Sequence, residues 1–220
     1  MTGNTTNFKK IGVVILCGGQ SQRMGIDKWN LPIGKLNMLD HLIAKIQNMT
    51  QRIVVCCSNR SIVSSSKTGI SIVTDEFENS GPLEGIRCGL KHLASDCEFA
   101  FVTACDIPWF QPDVVEFLLD QIVGFEAAIP VIDGRVFGMT AIYRTDIHFK
   151  IHQLIEQRRL KVSLLATELN TNQINQSQFK ACDPDLNTLR NINFPEDYVE
   201  YLESVGEPCP TELKQQFGIG

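Results

Sequence analysis

No apolar stretch in this 220-residue sequence approaches the roughly 20 residues that a membrane-spanning helix requires. Residues 1–10 are polar and carry no apolar run of the kind a secretory leader needs. The expectation is a cytoplasmic protein with no membrane attachment. The eight cysteines (17, 56, 57, 88, 97, 105, 182 and 209) contain no C-x-x-C pair and no cluster with ligand spacing. Most sit inside apolar runs, where cysteine behaves as a small buried hydrophobe. Positive charge is not in excess: 20 Lys and Arg stand against 25 Asp and Glu, a formal net charge of −5. That balance speaks against broad capture of nucleic acid and leaves room for a local basic site facing a phosphate-bearing small molecule. The dinucleotide fingerprint G-x-G-x-x-G is missing, which disfavours a Rossmann oxidoreductase. A Walker A loop is missing too, because Lys28 follows Asp27 and precedes Trp29. There is no internal repeat and no low-complexity linker.

What is present alternates between strand and helix. Ile11 to Cys17 is a continuous, mostly β-branched run of the kind found in buried parallel strands. Further strands are expected over Arg52 to Cys57, Ile70 to Thr74 and Phe99 to Ala104. Helices are expected over Leu39 to Met49, from Pro82 to Leu93 with proline in the first turn, and over Gln111 to Val123. The remainder is less regular. Strands are expected over Ala127 to Val131 and Val136 to Tyr143, with a turn at Asp133-Gly134. Helices follow over Asp146 to Gln157 and Val162 to Leu169, then a short strand over Phe179 to Cys182 and a helix over Phe194 to Val205. The pattern predicts an α/β fold with three layers, α/β/α, around a mostly parallel sheet. It predicts a single domain over residues 1–205. From Gly206 on, two prolines and three glycines predict a loosely packed tail.

The distinctive residues fall at strand ends, where open α/β sheets bind ligands. The first strand runs into Leu16-Cys17-Gly18-Gly19-Gln20-Ser21-Gln22-Arg23-Met24-Gly25-Ile26-Asp27-Lys28. Adjacent glycines let backbone N–H groups close around an anion, and Arg23 and Lys28 add charge suited to a triphosphate. The plain alternative is a glycine-rich turn with solvated charges. Asp106 ends another apolar strand and is placed to hold Mg²⁺, which uses one or two carboxylates plus phosphate oxygens. It could equally be a turn aspartate before Pro108. Asp75 is a second strand-end carboxylate. Asn191 and Asn193 alternate on one extended segment and can point the same way, or Asn193 can cap the last helix. Trp29 could line the pocket or belong to the core.

Taken together, four ordered elements resemble the molybdenum cofactor guanylyltransferases, the MobA family. The loop LCGGQSQRMGIDK at 16–28 is similar to that family's L-x-G-G-x-S-x-R-M-G-x-D-K signature. GPLEGI at 81–86, ACDIP at 104–108 and NINFPEDY at 191–198 match further elements in the same order. Arg158 and Arg159 resemble a basic pair that precedes the last of these. The resemblance covers roughly residues 11 to 200. It implies a nucleotide-diphospho-sugar transferase-like fold and transfer of GMP from GTP to molybdopterin, with Mg²⁺ as cofactor. Carried over by position, Leu16, Cys17, Gly18, Gly19 and Lys28 would hold GTP, and Asp75 would lie at the guanine nucleotide. Gly81, Pro82 and Gly85 would shape the pocket, and Asp106 would bind the metal. Arg23, Lys28 and Asp106 would serve catalysis, while Asn191, Asn193 and Arg159 would face the pterin phosphate. Transient contact with proteins that deliver or receive the cofactor follows from the same resemblance.

Two departures stand out. Cys57 replaces an asparagine frequent in the family, with Asn59 nearby, and Gly138-Met139 replaces a frequent His-Pro. Relatives that use CTP tend to carry Ala-Ala-Gly in the loop, so Gly18-Gly19 resembles the GTP-using branch. Rival readings are a CTP- or sugar-phosphate-using transferase of the same fold, which a nucleotide panel separates, and a GTP- or cofactor-binding protein without catalysis, which would release no pyrophosphate.

Overall fold

The computed structural model of the protein describes residues 11–18, 24–58 and 69–218. Ile11–Leu16 (β1) is buried at every position, as a strand covered on both faces must be. Lys28–Asn30 forms a 3-10 turn. Pro32–Ile33 (β2) and Leu36–Asn37 (β3) then pair as a small antiparallel ribbon. Met38–Ile46 (α1) starts at Asn37, whose side chain accepts from the Asp40 N–H at 2.7 Å. A cap of this kind stabilises a helix by about 1 kcal/mol. The alternation continues through Ile53–Cys57 (β4), Ile70–Thr74 (β5), Pro82–Leu93 (α2), Phe99–Ala104 (β6) and Pro112–Gln121 (α3). The expected strands and helices of this half stand within a few residues of their predicted bounds.

The second half comprises Ala127–Ile132 (β7), Arg135–Val136 (β8), Ala141–Arg144 (β9), His148–Glu156 (α4), Leu165–Glu168 (α5) and Thr171–Ile174 (β10). Gln176–Phe179 (α6), Pro195–Ser204 (α7) and Thr211–Phe217 (α8) complete it. The main sheet runs β10-β7-β9-β6-β1-β4-β5, with β8 paired to β7. β9 is antiparallel to both neighbours, while β6, β1, β4 and β5 are mutually parallel and β10 is parallel to β7. Residues of β1 alternate between two apolar clusters. Ile11, Val13 and Ile15 pack with α1 and α3, and Val14 and Leu16 pack with α2 and α4. The α/β/α layering and the mostly parallel sheet are therefore present as expected.

Three expectations are corrected. Val136 to Tyr143 is not one strand. β7 pairs Val131 with Val136 but Ala128 with Ile142, so six steps along one chain face three along the other. The surplus loops out through Phe137 to Thr140, closed by a hydrogen bond from the Thr140 N–H to the Phe137 carbonyl at 2.9 Å. Phe179 to Cys182 is no strand either. Asn175 and Gln178 form a reciprocal capping box that starts α6 and turns Phe179 into the core. The adjoining strand is the polar β10. Finally, the segment after Gly206 is not loosely packed. Leu213 of α8 is buried with Met24, Leu31, Ile33, Met38, Ile192, Tyr198 and Tyr201 in a third apolar cluster, against which Phe217 packs. That cluster brings the two last helices against the segment carrying Lys28.

Candidate active site

At the carboxyl ends of β1, β4, β5 and β6 lies a cleft of about 390 Å³, a volume suited to a small-molecule ligand. Leu16, Cys17 and Gly18 form its floor on the β1 side. The Cys17 N–H bonds the Cys56 carbonyl at 2.7 Å, so the strand ladder continues to the rim. Among the described residues, a Cβ on Gly18 would meet only the Ser58 backbone nitrogen, at 3.9 Å. The described residues leave that space open, as close approach of a ligand to backbone requires. Gly19 and Arg23, also expected at the site, lie outside the described residues.

α2 aims its N-terminus at the cleft. Gly81 precedes it at φ 64° and ψ −160°, a conformation essentially confined to glycine, and Pro82 takes the first turn. The helix is pressed against β1. A Cβ on Gly85 would stand 2.9 Å from Leu16 Cδ2, and one on Gly89 2.4 Å from Val14 Cγ1. These close approaches fix the helix end over the strand ends, where the positive end of the helix dipole favours an anion.

Asp75 faces the cleft beyond Gly85. Burial, reinforced by the nearby Glu84 carboxylate, raises its pKa, and Arg87 opposes the rise. Glu84 is fully buried in the first turn of α2. Its carboxylate accepts from the Glu76 and Phe77 N–H groups at 2.9 and 3.1 Å and from Arg87 Nε at 2.7 Å. Burial acts to raise the Glu84 pKa, but the hydrogen bonds from Arg87, Cys88 and the Glu76 backbone outweigh it and the net shift is downward. Arg87 also reaches Glu76 at 2.6 Å. This buried network ties the loop after β5 to the start of α2, and so sets Asp75 against Gly81-Pro82. Glu76, Glu84 and Cys88 are close enough to resemble a ligand set, but Arg87 already neutralises its carboxylates, and burial with the Glu84 contact pushes the Cys88 thiol up to about 12. Two cysteines of the cleft are likewise held as neutral thiols: burial raises Cys56 well above the usual range, and contact with Cys17 together with burial does so for Cys105.

The charged centre lies at the end of β6. Lys28 Nζ bonds Asp106 Oδ2 at 2.8 Å and Asn193 Oδ1 at 3.0 Å, and Asn191 Nδ2 donates to Asp106 Oδ1 at 2.8 Å. Four residues from three distant parts of the chain thus form one constellation. The two asparagines, expected to face the pterin phosphate, are engaged in the structure with the Lys28–Asp106 pair, which both orient. Backbone geometry explains the convergence. The Ile192 N–H bonds the Asp106 carbonyl at 2.9 Å while its side chain is buried, so Asn191 and Asn193 flank a pinned residue and turn to the same side. Asn193 does not cap α7 with its side chain. The Asp197 carboxylate instead accepts from the Asn193 and Phe194 N–H groups, each at 2.8 Å. Lys45 donates to the Pro108 carbonyl at 2.7 Å and steadies the turn after Asp106.

The structure does not bring Arg159 to the cleft. It is exposed after α4 and pairs with Glu168. Trp29 packs against the core cluster that holds α1 and α3, which is the core alternative. His148 stacks on Phe149, and His152 lies against Phe77 and Glu156. Residues not anticipated at the cleft are Arg135, Met139, Ser58 and Ala104. Arg135 and Met139 arrive through the hairpin and loop-out of β7 to β9; Met139 stands where the family often has His-Pro, and no local motif announces Arg135.

Comparison with known proteins agrees with this geometry. Residues 13–172 match the family model of the MobA-like NTP transferase domain. A probable molybdenum cofactor guanylyltransferase of Methanosarcina mazei is 30% identical over 197 residues, covering 84% of this chain and 86% of that protein. One from Carboxydothermus hydrogenoformans is 25% identical over 196 residues, covering 89% and 97%. The crystal structure of molybdopterin-guanine dinucleotide biosynthesis protein A from Archaeoglobus fulgidus superposes with a TM-score of 0.75 at 23% identity, covering 89% of this chain and 98% of that one, and shares the fold. With Gly18, the α2 N-terminus and the Lys28–Asp106 centre on one cleft, and with a family match over most of its length, the chain belongs to the MobA-like NTP transferase domain family.

Proposed function

We propose that the protein transfers GMP from GTP to the phosphate of molybdopterin, releasing pyrophosphate and forming the guanine dinucleotide form of the cofactor. The observation that carries the reading is the Lys28–Asp106–Asn191–Asn193 constellation beside the open Gly18 and the α2 N-terminus. The choice of guanine rests on the likeness of the Gly18-Gly19 loop to GTP-using relatives and on the names of the similar proteins.

In this reaction an acceptor phosphate oxygen attacks the α-phosphorus of GTP, and the bond from that phosphorus to the β-phosphate bridging oxygen breaks. The attacking oxygen is already anionic, so no general base is needed; positioning and charge neutralisation carry the step. Gly18 and the positive N-terminal end of the α2 dipole face the phosphate oxygens. Lys28, oriented by Asn193, offsets the charge that collects on the departing pyrophosphate. Asp75 closes the nucleotide side. Asp106 suits Mg²⁺: each carboxylate oxygen carries one of the hydrogen bonds described and retains a second lone pair toward a cleft in which phosphates would complete the ligand set. Bound there, the ion supplies Lewis-acid withdrawal of charge from phosphate oxygens.

Pyrophosphate release with Mg²⁺, molybdopterin and each of GTP, CTP, ATP and UTP tests the reading. Release with GTP and acceptor together is the expected result. Release with CTP alone among the nucleotides would keep the fold and overturn the base assignment. A protein that binds GTP but releases nothing would be a binding protein without catalysis.

A further inference from the structure

Two anionic substrates must meet in this cleft, yet the cation expected to hold the acceptor phosphate, Arg159, lies elsewhere. Among the described residues, the charged side chains lining the cleft are Lys28, Asp75, Asp106 and Arg135. Lys28 is committed to Asp106 and Asn193 on the glycine-loop side. Arg135 stands on the other side. Its guanidinium lies over the Phe137 ring at 4.7 Å, and no described carboxylate forms an ion pair with it.

The backbone beneath Arg135 is rigid for a local reason. Ile132 pairs with Arg135 and Val131 with Val136 across a two-residue turn. Asp133 at φ 50° and Gly134 at φ 75° give that turn the doubly left-handed form that matches strand twist. The Phe137 N–H bonds the Pro130 carbonyl at 2.9 Å and closes the hairpin base. A guanidinium stacked on a ring keeps its N–H edge available, and that planar fork matches a phosphate in bidentate fashion.

Sheet order supplies the direction. β6, which carries Asp106 just past its end, lies between β1 with its glycine loop and the β9-β7 wall with its hairpin. In an in-line displacement the attacking and leaving oxygens stand on opposite sides of the phosphorus. If pyrophosphate departs toward Lys28 and Gly18, the nucleophile approaches from the side of Arg135. We propose that Arg135 binds the phosphomonoester of the acceptor and so determines acceptor specificity; this rests on the transferase reading above.

The test uses the full chain with Arg135→Gln and Arg135→Lys. Pyrophosphate release is titrated against molybdopterin at saturating GTP, and binding of a fluorescent GTP analogue is measured separately. Arg135→Gln should raise the KM for molybdopterin by about tenfold or more, with kcat within about threefold and GTP-analogue affinity unchanged. Arg135→Lys should fall between, because it keeps the charge and loses the fork. An unchanged acceptor KM in Arg135→Gln, with active wild type, overturns the assignment alone. A loss of GTP-analogue affinity in place of acceptor KM overturns it as well and moves the residue to the nucleotide. Wild type that releases no pyrophosphate with any nucleotide removes the transferase reading, and the acceptor assignment with it.

Discussion

The two walls of the cleft are built in different ways. The wall of β1, β4, β5 and α2 is a run of parallel strands and a crossover helix, with carboxylates held by a buried network. The wall of β7, β8 and β9 is antiparallel, short-stranded and looped out, and it brings an exposed arginine. On the first wall the chemistry is fixed by neighbours: Glu84 holds Arg87, two backbone N–H groups and the helix start at once. On the second it is fixed by a tight hairpin and a ring beneath the guanidinium. The difference teaches that a phosphate site can be preorganised either by buried charge networks or by stiff local backbone. The first couples binding to stability, and the second does not.

The sharpest break in this comparison is expected at the boundary between the walls. Asp106→Ala should lower pyrophosphate release by about 10³-fold, the scale of several kcal/mol of charge stabilisation. Its circular dichroism spectrum should stay that of the wild type. Normal turnover in that variant would remove Asp106 from the chemistry.

Glu84→Gln tests the coupling of the first wall. It keeps the shape but leaves the buried Arg87 with Glu76 as its carboxylate partner. Breaking a buried pair in this manner costs about 3 kcal/mol, readable from urea unfolding. Because the folded Glu84 pKa is depressed, its contribution is fully present above the unfolded carboxyl range and is lost as pH falls through the folded value. The gap between wild type and variant should therefore narrow in acid. A variant as stable as wild type at neutral pH would mean that the network does not bind the wall together.

Asp75→Asn has the opposite sign. The folded Asp75 pKa is raised, mainly by burial, so the ionised group costs stability once the pH exceeds the unfolded value. The variant should be as stable as wild type or more so, while its GTP affinity falls. Greater stability with unchanged affinity would make Asp75 a bystander. The smallest effect is expected from Arg159→Ala, away from both walls. Turnover should stay within about twofold, since an exposed ion pair contributes little. A large rise in acceptor KM there would reopen the basic pair as a phosphate ligand.

Legibility divides along the same line. β1, β4, β6 and α2 could be read from runs of apolar residues and from proline in a first turn, because helices cover both faces and nearly every residue there is core. Lys28, Asp75, Asp106, Asn191 and Asn193 could be placed at the site because they stand at strand ends or in a motif. The polar β10 could not be read, since an edge strand of Thr, Asn, Gln and Ile has no apolar face to announce it. Nor could α8, whose single buried Leu213 depends on a cluster assembled from four distant segments.

By itself, then, the order of residues determined the layered α/β architecture, the glycine loop at the end of β1 and the carboxylate at the end of β6, because these follow from local periodicity and from which residues a strand end can carry. Only the tertiary structure decided that Asn191 and Asn193 orient Lys28 and Asp106, that Arg159 stands apart and that Arg135 enters the cleft. Those placements depend on strand order and on a pinned Ile192, tertiary contacts that no local pattern encodes.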